Sequence, residues 1–346
     1  MSKPTEFGVR LPVAGPLAGP QAAKDIAIQC EGLRYDAVWV HDFIAWTTYQ
    51  DQHHVSCGSV EALEASDAPP LFMESLTNLA YLAGVTSTIT LGIAVLCLPY
   101  RSPVVAAKQV ANIDFLSNGR LLLGIGTGAP KSTHNVDFEV LGVERKTKYD
   151  VTRDYLRAMI EIWTNDSPSY DGEFVSFPET EIFPKPIQKP FPPIWAGGHG
   201  PTAVDIVAEF CTGWIPPWIP PEQYPDRINE IETLAKEKGR GSVEFDIATE
   251  VYVCVDENGS VALENARKTL GVLPYGFDHT ATPEKIAQAG LIGSPAQLTE
   301  KIGRYVAAGV NHYEMKFIYH TLEHLREQLE LFAKEVAPHS RSSSPV

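Results

Sequence analysis

The sequence is poor in several things at once. Among 346 residues it has 28 Lys and Arg against 43 Asp and Glu, a formal net charge of −15. Such a surface repels phosphate backbones and anionic lipid, which argues against nucleic acid and membranes as general partners. A local anion site stays open to it, because backbone amides at a helix start can hold a phosphate. Cysteine is sparse: Cys30, Cys57, Cys97, Cys211 and Cys254, with no C-x-x-C pair. An odd, scattered set reads as reduced thiols in a cytoplasmic protein. No apolar run reaches membrane-spanning length, and the start MSKPTEFGVRLP lacks the apolar stretch of a signal peptide. H-E-x-x-H, G-x-S-x-G and G-x-x-x-x-G-K-[ST] are all missing, so zinc-protease, α/β-hydrolase and P-loop readings have no support. His53 and His54 have no neighbours that complete a ligand set; they read as a solvated pair, and no metal is expected. Residues 1–338 read as one domain, and the tail from His339, HSRSSSPV, as a disordered end.

What is present is alternation. β-branched and apolar runs at Phe7–Leu11, Ala37–Val40, Thr90–Leu96, Leu121–Ile125, Ile194–Ala196, Gly213–Ile215, Phe245–Val255 and His312–Phe317 read as eight strands. Helical periodicity follows nearly every one, as in Gln21–Leu33, Leu71–Val85, Val104–Phe115, Thr147–Trp163, Ala203–Phe210, Glu222–Lys238, Gln297–Ala308 and Leu322–Val336. Eight such units in a chain with 44% apolar residues predict an α/β protein, a (β/α)8 TIM barrel, over an open parallel sheet. The aperiodic stretch Trp46–Pro70 and the polar loop after Ile125 are insertions after strands 2 and 4. Tyr170–Phe191, rich in proline, reads as an inserted hairpin.

The stretch Gly124-Ile125-Gly126-Thr127-Gly128-Ala129 matches the dinucleotide fingerprint G-x-G-x-x-G/A. That fingerprint opens a first βα unit and runs directly into a helix. Here it closes the fourth strand, and Pro130 and a polar loop follow. The plain reading is a glycine turn for chain reversal. The functional reading is that Gly126, Thr127 and Gly128 leave room for a flat ligand at the barrel mouth, where barrel enzymes do their chemistry. A second glycine run, Ala196-Gly197-Gly198-His199-Gly200, leads from the fifth strand into Pro201-Thr202 at a helix start, a place where free amides can bind phosphate. Trp214 in the sixth strand reads as core, and Trp218 beyond it as pocket lining. Trp46 and Tyr49 are placed to close over the same mouth. Arg101 is expected to pair with Asp114 or Glu74, and Arg120 to be a structural turn residue on the far face of the barrel.

Several segments resemble one family, the luciferase-like flavin and deazaflavin oxidoreductases. They are YDAVWVHDF, TLGIAVLCLPYRSPVVAAKQVANIDFLSNGRLLLGIGTGA, FEVLGVERKTKYDVTRDYLRAMIEIW, PPIWAGGHGPTAVDIVAEFCTGWIP and GSPAQLTEKIGRYVAAGVNHYEM, in family order over most of the chain. The resemblance implies a (β/α)8 barrel whose mouth holds coenzyme F420, for hydride transfer, or reduced FMN, for monooxygenation. It implies a small-molecule substrate, here of apolar or aromatic kind, and a homo-oligomer. It places a non-proline cis peptide between Ala94 and Val95 behind the ring, Cys97 beside the ring, and the cofactor phosphate near Gly197–Gly200. The GTG form of the fourth-strand end leans toward the deazaflavin branch.

Two departures bear on mechanism. Many relatives have Asp-His at the end of the second strand; here Asp42 is followed by Phe43, and His41 precedes it. His41 and Asp42 are the expected contacts to cofactor or substrate, with Phe43, Trp46 and Trp218 around the substrate. The deazaflavin-dependent sugar-phosphate dehydrogenases that share the turn carry Glu where this chain has Ala129, and a methyl group does no acid–base work. That disfavours sugar or alcohol oxidation and leaves reduction of an activated double bond, or oxygen insertion. The rival readings are a barrel that binds flavin without catalysis and, more weakly, an open-sheet nicotinamide dehydrogenase.

Overall fold

The structure, a computed structural model, describes residues 3–45, 71–128, 136–217, 219–270 and 290–341. Nine parallel strands form its main sheet: β1 (Glu6–Arg10), β2 (Ala37–Val40), β3 (Thr90–Cys97), β4 (Leu121–Gly126), β5 (Ile194–Gly197), β6 (Gly213–Ile215), β7 (Asp246–Val255), β8 (Leu291–Gly293) and β9 (His312–Phe317). Eight of them close into a ring in the order β1-β2-β3-β4-β5-β6-β7-β9 and back to β1. The barrel expected from the alternation is therefore closed. β8 is no stave: its three residues pair with the end of β7, Leu291 to Val253 and Gly293 to Val255. At that length it carries no readable pattern.

The helices α1 (Pro20–Gly32), α2 (Ser75–Val85), α3 (Pro103–Leu116), α4 (Lys148–Thr164), α5 (Pro201–Phe210), α6 (Tyr224–Glu237), α7 (Gly259–Leu270), α8 (Pro295–Ala307), α9 (Leu322–Glu335) and α10 (Ala337–Arg341) surround the ring. Their buried stripes, such as Leu298, Ile302 and Tyr305 of α8, meet the outward side chains of the strands: Phe7, Val9, Val38, Val40, Leu91, Leu123, Tyr313 and Phe317. Parallel strands covered on both faces need this apolar outer layer. α2 begins later than the sequence pattern suggests. The Glu74 carboxylate accepts from the amides of Leu76 and Thr77 and caps the helix there. Leu71–Phe72 instead pairs antiparallel with Ala14–Gly15.

Inside the ring a second, smaller layer contains Ala37, Trp39, Leu122, Trp195, Ile215 and Ala248. Trp39 fits because Gly8 on one neighbouring strand and Gly92 on the other lack the Cβ its indole would strike. Gly213 makes the same room for Trp195. The two indoles lie 5.8 Å apart, and the His312 ring meets both edge-on at 5.5 and 4.9 Å. These rings fill the barrel below its mouth.

The insertion after β4 includes a one-turn helix, Asp137–Val140. The Tyr170–Phe191 segment holds a short hairpin, Tyr170–Asp171 with Ser176–Phe177. The Asp154 carboxylate on α4 pins it by accepting from Tyr170 Oη and the amides of Phe174 and Val175. The expected disorder from His339 is corrected in part. His339, Ser340 and Arg341 finish α10, Ser340 is buried, and Arg341 donates to Asp36 Oδ2 and the Arg34 carbonyl. Residues 342–346 lie outside the described ones.

Candidate active site at the barrel mouth

The C-terminal ends of the strands bring most of the expected site residues to one end of the barrel. β3 is the element that shapes it. Its register against β4 shifts between Ile93 and Leu96, and the Ala94–Val95 peptide within that bulge is cis. Ala94 and Val95 stay half-buried while both flanks of the strand are covered.

The glycines at the neighbouring strand ends answer to this bulge. A Cβ on Gly126 would strike Val95 Cγ2, and one on Gly197 would lie 3.1 Å from Val95 Cγ1. Gly128 has φ +85°, and a Cβ there would lie 2.5 Å from the Phe138 ring and 2.8 Å from Tyr100 Oη. The positions a Cβ would take on Gly126 and Gly128 are thus filled by protein side chains. The glycines let Val95 and Phe138 enter, and a side chain at 126 would meet Val95. Thr127 stays half-buried at the rim. It borders a small void with Gly126, Thr152, Gly197 and Ala203.

His41 and Asp42 diverge. The His41 ring packs edge-on against Phe72 at 5.1 Å and Phe43 at 5.8 Å, and is almost wholly buried. Asp42 turns to the helices. Its carboxylate accepts from Arg101 Nη1 and Nη2 (2.7 and 2.8 Å), from Ser75 Oγ (2.9 Å) and from the Cys97 amide (3.0 Å). Arg101 therefore pairs with Asp42, not with Asp114 or Glu74. Asp114 is taken by the Gln188 amide and Nε2, and Glu74 by the start of α2. Four donors leave the Asp42 carboxylate little capacity for a substrate proton. Its bond to the Cys97 amide instead fixes the strand just past the bulge. Burial, with help from Asp42, pushes the Cys97 thiol far above its ordinary range, so it is held neutral.

The second glycine run meets the start of α5. Gly198 has φ +93°, and Trp214 Nε1 donates to its carbonyl at 2.7 Å. Trp214 is fully buried, as expected, and holds the loop in place. His199 and Gly200 are exposed, and Gly200 precedes Pro201 as the N-cap, with no side chain capping the helix start. Lys148 stands near the β4 end and donates to the Gly128 carbonyl at 3.1 Å. Burial and the neighbouring Arg145 lower its pKa. Trp46, Tyr49, His53, His54, Ala129 and Trp218 lie outside the described residues. Among the described residues no cluster of His, Cys, Asp and Glu has the makings of a metal site.

Sequence reasoning missed a charged group on the opposite wall. Arg10, at the end of β1, donates through Nε and Nη2 to Glu314 (2.6 and 2.9 Å) and lies 3.2 Å from Glu250 Oε1. Lys316 donates to Tyr252 Oη at 3.1 Å, its ammonium 4.7 Å from the centre of that ring. Burial raises the Glu314 pKa against the pull of Arg10. The signal was present in His312-Tyr313-Glu314-Met315-Lys316-Phe317: titratable residues at alternate positions of a strand whose other face is apolar. At the far end of the barrel Arg120 does have the structural role expected of it. It donates to Thr86 Oγ1 and to the carbonyls of Ala83, Thr86, Ile89 and Ser117.

Residues 4–312 match the family model described as luciferase-like monooxygenase. The chain belongs to this family. Its luciferase-like relatives include the FMNH(2)-dependent dimethylsulfone monooxygenase of Pseudomonas putida, 28% identical over 77% of this chain and 78% of that one. Another is the F420-dependent glucose-6-phosphate dehydrogenase of Mycolicibacterium fortuitum, 28% identical over 76% of this chain and 83% of that one. Among solved structures, an F420-dependent secondary alcohol dehydrogenase in complex with an F420-acetone adduct superposes with TM-score 0.78. It is 17% identical, over 98% of this chain and 100% of that one, and shows the fold. No helix among the described residues is long and apolar enough to cross a membrane.

Proposed function

We propose that this luciferase-like protein is an oxidoreductase that holds coenzyme F420 or reduced FMN at the barrel mouth. It acts on an apolar or aromatic small molecule, by hydride transfer with the first cofactor or monooxygenation with the second. The observation that carries this reading is the half-buried apolar bulge Ala94–Val95 on a family-matched barrel, with a charged wall facing it. A flat heterocycle fits such a surface: one face takes apolar contact and the other meets polar groups. The ring lies over Ala94 and Val95, with Cys97, Gly126, Thr127 and Gly128 at its edge. The phosphate of either cofactor takes the loop Ala196, Gly197, Gly198, His199 and Gly200, at the uncapped N-terminus of α5.

Phe43 and His41 face the substrate, with Trp46 and Trp218 completing its pocket. Asp42 organises the bulge rather than moving protons. The protein works as a cytoplasmic homo-oligomer, and exposed Phe115 and Leu116 at the end of α3 are apolar side chains that a second copy covers. Titration of the apoprotein with FMN and with F420, followed by fluorescence, tests the reading. Saturable quenching by one of the two selects the branch. Quenching by neither removes the proposal, and tight binding without turnover of any acceptor leaves a binding protein in place of an enzyme.

A further inference from the structure

The interior of the barrel is divided. β3, β4 and β5 line it with Ala94, Val95, Leu122, Trp195 and glycines. β7, β9 and β1 line it with Glu250, Tyr252, Glu314, Lys316 and Arg10. In the ring order β7 stands four strands from β3 in either direction, which is directly opposite. Glu250 follows the interior residue Ala248 by two positions toward the mouth, on the same face of β7.

Asp42, Glu314 and Glu250, three carboxylates on or just beyond the staves, differ in what is left of them. Asp42 is filled by four donors. The Glu314 side chain is 0% exposed, with both oxygens on Arg10. Glu250 is 30% exposed, and Arg10 meets its Oε1. A carboxylate has about four acceptor positions on two oxygens. Glu250 is thus anchored on one side and open on the other.

We propose that Glu250 faces the ring and substrate from the wall opposite Ala94–Val95 and exchanges the proton that accompanies the redox step, with Arg10 as its positioning residue. This rests on the function proposed above. It supplies on β7 the acid that Ala129 does not supply after β4. An activated carbon–carbon double bond reduced here accepts a hydride from the reduced ring at one carbon and the Glu250 carboxyl proton at the other. The double bond gains two electrons and the ring loses two. The carboxylate left behind recovers a proton from water at the mouth. Glu314 shares Arg10 with Glu250 from below, so one guanidinium holds both side chains in place.

The test needs no native substrate. A reduced flavin or deazaflavin ring is anionic near neutral pH, so a carboxylate facing it weakens binding once ionised. The affinity of reduced FMN, or reduced F420 if the titration selects it, is measured against pH in wild type and Glu250→Gln. The groups around Glu250 that titrate or carry charge are Arg10 from β1, Glu314 and Lys316 from β9, Tyr252 on β7 and Tyr224 from α6. All are present in both proteins, but the Glu250 charge also raises the pKa of Glu314 and Tyr224, so the Gln variant is read against Glu250→Asp, which keeps that charge. Glu250→Gln is expected to bind the reduced cofactor about five- to tenfold more tightly at pH 8 and to lose one step of the pH dependence. Glu250→Asp keeps that step. With 2-cyclohexen-1-one as acceptor, Glu250→Gln is expected to turn over about 100-fold more slowly. Glu250→Ser replaces the Gln variant if that one does not fold, with the same expectations. Superimposable pH curves for wild type and variant overturn this inference and leave the proposed function standing. A wild type that binds neither cofactor overturns both.

Discussion

Asp42 joins three segments through one carboxylate: the end of β2, the start of α2 through Ser75, and the end of β3 through Cys97 and Arg101. Sequence reasoning singled it out for chemistry, because a titratable group at a barrel strand end is well placed to react. Its partners give it a different task. Breaking a buried, hydrogen-bonded ion pair from one side costs about 3 kcal/mol, since the guanidinium stays buried without its counter-charge. Asp42→Asn is therefore expected to lower the melting temperature by that equivalent and to weaken cofactor binding about tenfold, as the segment after Val95 loosens. Calorimetry and fluorescence titration check the two effects. An unchanged Kd would show that packing alone holds the bulge. The glycines carry the companion lesson. Gly126 and Gly128 attract attention as ligand space in the sequence, yet the side chains they make room for are Val95 and Phe138.

Among the secondary-structure elements, the eight staves and the helices between them were legible because each has its own period. Strands such as Leu121–Gly126 are continuous apolar runs, as parallel strands covered on both faces must be. β8 was not legible, since three residues define no period. The join between α1 and β3 shows how a single carboxylate stabilises a connection. Glu31 Oε1 accepts from the amides of Ser87, Thr88 and Ile89 and from Thr88 Oγ1. Burial by itself would raise the Glu31 pKa, but these donors dominate and bring it from its ordinary 4.5 down to about 2. A carboxylate with a depressed folded-state pKa stabilises fully above its unfolded pKa and loses that contribution as pH falls through the folded one. The cap is accordingly whole above about pH 4.5 and fades toward about pH 2. Glu31→Gln is expected to be less stable than wild type at neutral pH and to approach it toward pH 2. Urea unfolding at a series of pH values measures this, and parallel curves would contradict it.

At the level of the whole molecule, the exposed apolar side chains of α2 and α3 stand out on a chain of net charge −15. Val105, Phe115 and Leu116 are each more than half exposed. Apolar side chains such as Phe115 and Leu116, adjacent at the end of α3, suit self-association, because a second copy covers them without a foreign partner. On the homo-oligomer proposal, Phe115→Glu with Leu116→Glu is expected to sediment as a monomer where wild type sediments as an oligomer, with cofactor affinity unchanged. A monomeric wild type would remove the homo-oligomer reading.

The sequence by itself determined the barrel and the family, because local periodicity and the strand-end motifs are written in consecutive residues. Its resemblance to the family placed a cis peptide at Ala94–Val95, where the structure has it. Only the tertiary structure decided which charges meet. Arg10 and Glu314 are 304 residues apart in the chain and 2.6 Å apart in space. The partner of Asp42, the occupants of the glycine space and the charged wall around Glu250 all follow from ring closure. Closure brings distant strands together in a register that no local pattern encodes.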